Sequence, residues 1–206
     1  MLYIEHLGLR SYIETWDAMR QFTETRDAHT DDRLWLLEHP PVFTQGQAGK
    51  PEHILQSSDI PVVQSDRGGQ VTYHGPGQLV GYVLLDLTRL KIGIRTLVCT
   101  LERLLITTLQ HFGIAAQTKL GAPGVYVGDR KIASIGLRVK KGCTYHGFAL
   151  NVDMDLTPFS YINPCGYAQL EMVNMVDIGA AVTMEKVVEQ LKQQFQVHFG
   201  TGVKNA

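Results

Sequence analysis

Twelve consecutive residues, Arg67-Gly68-Gly69-Gln70-Val71-Thr72-Tyr73-His74-Gly75-Pro76-Gly77-Gln78, hold four glycines, a proline, a cation and an imidazole, and run straight into the apolar segment 79–85. Gly68 and Gly69 can take backbone angles closed to other residues and leave the main chain bare for a ligand. Val71-Thr72-Tyr73 reads as a short strand and Gly75-Pro76-Gly77 as a turn. The stretch therefore predicts a backbone-lined pocket wall with Arg67 and His74 at its two ends. A tight hairpin whose glycines serve only the turn is the plainer alternative. Neither a dinucleotide nor a P-loop glycine pattern is present.

The flanking sequence predicts what this stretch is mounted on. Leu79 to Leu85 is apolar apart from Gly81, the pattern of a buried strand. Ile94, Leu97, Val98, Leu101, Leu104, Leu105 and Phe112 recur at helical spacing before a stop at Gly113. A second helix is expected after Ser11, with Glu14 completing a capping box and Ile13, Trp16, Met19 and Phe22 as its apolar stripe. A third starts near Thr183. Strands are expected at Leu34 to Glu38, Val42 to Thr44, Ile60 to Val63, on both sides of a turn at Gly128-Asp129-Arg130, and from Cys143 to Val152 with an interruption at His146-Gly147. The loop from Gln45 to Pro51 is of the kind that covers a pocket. Regular strand–helix alternation is missing, so the expected class is α+β, a mixed and largely antiparallel sheet with packed helices. At 206 residues with 44% apolar content and a formal charge of -1, one domain over residues 1–206 is expected, and a nucleic-acid binder is not. No apolar run is long enough to span a bilayer, and the strand-like Met1 to Glu5 does not read as a signal peptide. Three cysteines suit a reducing compartment, so a cytoplasmic protein without membrane partners is expected.

Cys165 and Lys131 stand out chemically. Cys165 follows Asn163-Pro164 and precedes Gly166. A short helix beginning near Tyr167-Ala168-Gln169 would direct N–H groups at its sulfur and favour the thiolate. The alternative is a buried cysteine in a turn. Cys143 is a rival at the start of a strand, and Cys99 reads as a packing residue inside its helix. Lys131 follows a turn in a strand with apolar alternate residues; aimed inward, it would have a lowered pKa and trade protons near neutrality. Otherwise it is an exposed edge lysine. Cys143 and His146 have a Cys-x2-His spacing that Cys165 and His74 could join, but no second close ligand pair exists and no metal site is expected. His6, His29 and His198 read as surface or packing residues.

From Arg67 to Tyr82 the chain resembles the signature of the octanoyl-[acyl-carrier-protein]:protein N-octanoyltransferase family of lipoate biosynthesis. The likeness continues through Leu37 to Thr44, Gly128 to Gly136, His146 to Val152 and Asn163 to Gly166. The resemblance implies the fold of the biotin– and lipoate–protein ligases. It also implies that Cys165 takes an octanoyl group as a thioester while Lys131 assists. The family's substrate-contacting positions fall on Arg67, Gly68, Gly69, Gln70, Val71, Thr72, Tyr73, His74, Ser134, Ile135, Gly136, Gly147, Phe148 and Ala149. The implied partners are octanoyl-acyl carrier protein and the lipoyl-domain acceptors, namely the E2 subunits of 2-oxoacid dehydrogenases and the glycine cleavage H protein. No cofactor is implied, because passing from thioester to amide is downhill. The rivals are an ATP-dependent lipoate–protein ligase of the same fold and a non-catalytic module that docks acyl carrier or lipoyl domains. Arg130, Arg138, Lys140 and Lys141, expected to cluster around the hairpin that holds Lys131, are either a rim for an acidic carrier or a solubilising edge.

Overall fold

The computed structural model describes residues 1–168, 170–199 and 203–205. The elements run β1 (Leu2–Leu9), α1 (Tyr12–Thr25), β2 (Asp32–Glu38), β3 (Val42–Gln45), β4 (Val62–Gln64), β5 (Val71–His74), β6 (Gln78–Leu84), α2 (Leu87–Leu90), α3 (Ile94–His111), β7 (Gln117–Lys119), β8 (Ala122–Val127), β9 (Arg130–Lys140), β10 (Cys143–Asn151), α4 (Met184–Phe199) and β11 (Val203–Asn205). Eight strands form one sheet in the order β11-β1-β2-β6-β10-β9-β8-β7, and β4-β3-β5 form a second. Only β1 with β2, β1 with β11 and β3 with β4 pair in parallel among these. The expected mixed, largely antiparallel sheet with packed helices is what forms.

The continuous apolar run of β6 follows from burial on both faces. Leu79 and Val83 join the core that holds Leu97, Leu101 and Leu105 of α3 and Val187, Leu191 and Phe195 of α4. Val80, Tyr82 and Leu84 point the other way, to Met19 of α1 and Tyr145 and Ala149 of β10. The small sheet closes a third core through Phe43, Val71, Tyr73 and Phe159.

Three local expectations change. Ser11 stands at the N-cap of α1 but its side chain caps nothing; the Thr15 hydroxyl donates to Ser11 O instead, at 2.7 Å. The buried face of that helix is Tyr12, Thr15, Met19 and Thr23, leaving Ile13 at 53% exposure. The helix turns so that Tyr12 donates to Ser65 Oγ and Trp16 Nε1 to Asp66, both at 2.8 Å. Cys99, expected inside the packing of α3, is exposed, one step off the face formed by Leu97, Thr100 and Leu101.

The Arg67–Gln78 stretch is not a hairpin. β5 belongs to the small sheet and β6 to the large one, so the turn at Gly75-Pro76-Gly77 carries the chain between sheets. Gly77, at φ +85°, sits where a Cβ would lie 1.9 Å from Asp153 O, and its own carbonyl accepts from Val152 and Asp153 N–H. No other residue fits there. The Gln45–Pro51 loop braces the glycine-rich loop rather than covering a pocket: the N–H groups of Gly46, Gln47 and Ala48 donate to Gln70 O, Arg67 O and Gly69 O.

Candidate active site

Lys131 is the second residue of β9, beyond the last partner that β10 supplies, Leu150 opposite Ala133. The segment after Cys165 takes that place: Lys131 N–H donates to Glu171 O at 2.8 Å and Val173 N–H donates to Lys131 O at 3.1 Å. Across β8 the register slips between Val125 and Tyr126, and Gly124 lies at φ +128°. A Cβ on Gly124 would come within 2.6 Å of Lys131 Cε, so this glycine keeps the lysine's path open. The side chain, 2% exposed, ends with Nζ donating to Cys165 Sγ at 3.2 Å and 5.3 Å from the Tyr126 ring centre. Lys131 is therefore inward and beside Cys165. Its pKa moves opposite to the lowered value expected for an inward lysine. Burial does pull it down, but the facing Cys165 and Tyr126 outweigh burial and raise it.

Cys165 lies in a one-turn helix over Pro164–Gly166, with the left-handed angles φ 58° and ψ 15° that side chains other than glycine rarely adopt. Asn163 N–H donates to His53 O at 2.8 Å and fixes the entry to the turn. Gly166 follows at φ +80°, packed so that a Cβ would lie 3.0 Å from Gln70 Cγ. The helix expected from Tyr167-Ala168-Gln169 does not begin there. Tyr167 is extended, and the N–H groups of Gly166 and Tyr167 donate within the turn to Asn163 O and Pro164 O; Gln169 lies outside the described residues. The group facing the sulfur is thus the Lys131 ammonium rather than a helix end.

Both residues line a cavity of about 380 Å³. Among the positions implied to contact substrate, Arg67, Gly68, Gly69, Gln70, Val71, Thr72, His74, Ser134, Ile135, Gly136, Gly147, Phe148 and Ala149 border it. Tyr73 does not; it packs between Phe43 and Phe159 in the small-sheet core. Tyr12, Val80, Tyr82, Val98, Pro123 and His146 also form the wall. Nothing local in the sequence marks Tyr12 or Tyr82. Gly124 could have been found, since an isolated glycine in a strand signals close approach of a neighbour.

Buried polar groups hold the wall in shape. Arg67 donates from Nε to Thr44 Oγ1 (3.1 Å), from Nη1 to Gly68 O (2.9 Å) and from Nη2 to Gln70 O (2.8 Å). It clamps the loop through carbonyl and hydroxyl oxygens, while burial pulls its pKa down. Gln78 Nε2 donates to Asn151 Oδ1, which leaves Gln78 Oε1 to accept from His74 Nδ1 at 2.7 Å and fixes the imidazole's tautomer. Burial holds His74 near a pKa of about 3 and, in the same way, His39 near about 4. His146, at φ 60°, takes a left-handed turn without breaking β10, whose pairing continues through His146 and Gly147 opposite Leu137 and Gly136. Its Nε2 donates to Asp66 at 2.9 Å. Among the described residues no three His, Cys, Asp or Glu side chains gather as a metal site. Cys143 is buried where its residue bridges Asp86, and burial pushes its thiol up.

The basic residues do not cluster as expected. Arg130 opens β9, whereas Lys140 and Lys141 stand at its far end, about 30 Å along an extended strand. Arg138 donates to Gln47 Oε1 at 2.7 Å, and Lys140 pairs with Glu24.

Residues 11–196 match the family described as lipoyl protein ligase A/B catalytic domain. An octanoyltransferase of Legionella pneumophila (strain Paris) is 59% identical over 198 residues, covering 96% of this chain and all of that protein. Among solved structures, the bi-partite lipoate protein ligase from Thermoplasma acidophilum superposes with a TM-score of 0.80 at 16% identity, over 99% of this chain and 85% of that one. The biotin protein ligase from Aquifex aeolicus shares the fold more distantly, with a TM-score of 0.56 at 12% identity over 97% and 68% of the two chains. With a catalytic-domain match across most of its length and a relative this close over nearly all of this chain and the whole of that protein, the chain belongs to the octanoyltransferases of the lipoyl protein ligase A/B catalytic-domain family.

Proposed function

We propose that this protein transfers an octanoyl group from octanoyl-acyl carrier protein to a lysine of a lipoyl-domain protein, through an octanoyl thioester on Cys165. The observation that carries the reading is the 3.2 Å contact between Lys131 Nζ and Cys165 Sγ at the wall of a mostly apolar cavity. The raised pKa of Lys131 sets its starting state as the ammonium, the counter-ion of the attacking sulfur. The sulfur adds to the thioester carbonyl. As the tetrahedral intermediate collapses, the carrier's thiolate leaves and takes a proton from Lys131. The neutral lysine then accepts a proton from the incoming amine as it attacks the octanoyl-Cys165 carbonyl. The cysteine sulfur departs, the amide is complete, and the ammonium–sulfur pair is restored.

Partners follow from the same chemistry. The donor delivers its acyl group on a flexible thiol arm, and the acceptor is a lysine on a folded domain such as an E2 lipoyl domain or the glycine cleavage H protein. The Thermoplasma ligase is described alongside its E2 lipoyl domain as one lipoylation system, which supports this class of acceptor. Separation of Arg130 from Lys140 and Lys141 removes the support for a single basic rim around the mouth. The test is transfer of octanoyl from a purified octanoyl carrier to a lipoyl domain, with and without ATP. Equal rates in both are expected. Strict ATP dependence would favour a ligase, and binding of either protein without transfer would leave a docking module.

A further inference from the structure

Resting on the reading of Lys131 above, we infer that Asn151 is a positioning residue for the Lys131–Cys165 pair, acting through a buried line of hydrogen bonds that starts at the glycine-rich loop. Arg67 donates to Thr44 Oγ1 at 3.1 Å. The Thr44 hydroxyl, so occupied as an acceptor, turns its proton toward His74 Nε2 at 3.4 Å. His74 Nδ1 donates to Gln78 Oε1 at 2.7 Å, and Gln78 Nε2 donates to Asn151 Oδ1 at 2.9 Å. That last bond fixes the Asn151 amide, whose Nδ2 donates to Val173 O at 3.2 Å. The Val173 N–H then holds Lys131 O at 3.1 Å, and the Asn151 carbonyl accepts from Met175 N–H at 3.1 Å.

Every side chain along the line from Arg67 to Asn151 is buried, at 0% to 8% exposure, so none can exchange its partner for water without cost. Asn151 is the point where β10 ends and the 171–175 segment takes over as the neighbour of β9. That segment leads directly from the Cys165 turn, so one amide sets both the height of Lys131 on β9 and the downstream anchor of the Cys165 loop. Alanine or leucine at this position would take the Asn151 amide donor from buried Val173 O and leave one N–H of Gln78 Nε2 unpaired, its only other bond being the longer one to Tyr73 O at 3.3 Å. The lysine's main chain would lose its fixed neighbour while the rest of β9 kept β8 and β10.

The test uses the full chain and iodoacetamide, with alkylation at each cysteine read by peptide mass spectrometry. Exposed Cys99 is the reagent reference, and buried Cys143 reports any general loosening. Asn151→Ala and the milder Gln78→Met are each expected to lower the Cys165-to-Cys99 rate ratio by about tenfold, the scale of one misplaced hydrogen bond, with Cys143 unchanged. Asn151→Ala combined with Lys131→Ala should be no slower than Lys131→Ala alone, because both act through one contact. Should Asn151→Ala speed Cys143 alkylation, Gln78→Met decides by the same criterion. A wild-type ratio in the deciding variant, or losses that multiply in the double variant, beside a slowed Lys131→Ala overturns the inference alone. A wild-type ratio in Lys131→Ala itself would overturn the reading of the lysine, and the inference with it.

Discussion

At the scale of single residues, the site turns on two side chains that the chain brings together from 34 positions apart. Replacing Lys131 with alanine removes the proposed proton carrier but leaves a cavity-wall residue. Both acyl loading and amide formation are expected to slow by roughly 10²- to 10⁴-fold, with an unchanged circular dichroism spectrum. Single-turnover measurement of each half-reaction checks this; a normal rate in either would return Lys131 to a structural role. Gly124 makes a sharper prediction because it never meets substrate chemistry. Its φ of +128°, and the 2.5 Å and 2.6 Å that would separate an added Cβ from Ala133 O and from Lys131 Cε, leave alanine no room. Gly124→Ala should therefore cost activity by about 10²-fold, the scale of a displaced reacting group, mainly in kcat with little change in KM. An increase in KM alone would mean that the glycine shapes the cavity and not the lysine.

At the scale of elements, the β5–β6 turn is the joint between two sheets and therefore between the Arg67 clamp and the buried strand beside it. Gly77→Ala is predicted to destabilise the fold by roughly 2–4 kcal/mol, since it combines a left-handed backbone with a main-chain collision at Asp153. Urea denaturation measures it, and a loss under about 0.5 kcal/mol, the range of an ordinary surface change, would show that the turn can relax. These elements also show what the sequence could and could not disclose. The period of α3 and the unbroken apolar run of β6 were legible because one face, or both, is buried against a continuous core. The face of α1 was not, because polar contacts to Ser65 and Asp66 rather than apolar burial set its rotation. Within the site, Cys165 was marked by its turn and by family resemblance. Lys131 acquired its direction from the slipped register inside the β8–β9 hairpin, which a turn signal does not specify, and from the 171–173 segment, a long-range pairing with no local trace. That Tyr73 packs into the small-sheet core and not the cavity wall could not be read locally, because alternation discloses no face where four consecutive strand residues are all buried.

At the scale of the whole molecule, two deeply buried neutral histidines tie stability to pH. His39 and His74 have folded pKa values of about 4 and about 3, below the 6.5 of a free imidazole. Below pH 6.5 the unfolded chain binds protons that the folded chain refuses, so stability falls as the medium is acidified. Each histidine contributes about 1.4 kcal/mol per pH unit between 6.5 and its folded value. The Tm is therefore expected to drop steeply from pH 7 to pH 5, above the range where carboxylates titrate; a flat Tm across that interval would show that neither histidine stays neutral in the fold. The same buried framework exists to present one sulfur to one acyl group. Its most direct test is the intact mass of the protein after mixing with octanoyl carrier and no acceptor. A gain of one octanoyl group, mapped to Cys165, discharged by a lipoyl domain and absent from Cys165→Ser but retained in Cys99→Ser and Cys143→Ser, is the predicted result. Normal turnover by the Cys165→Ser protein, or octanoyl found only on another residue, would contradict it.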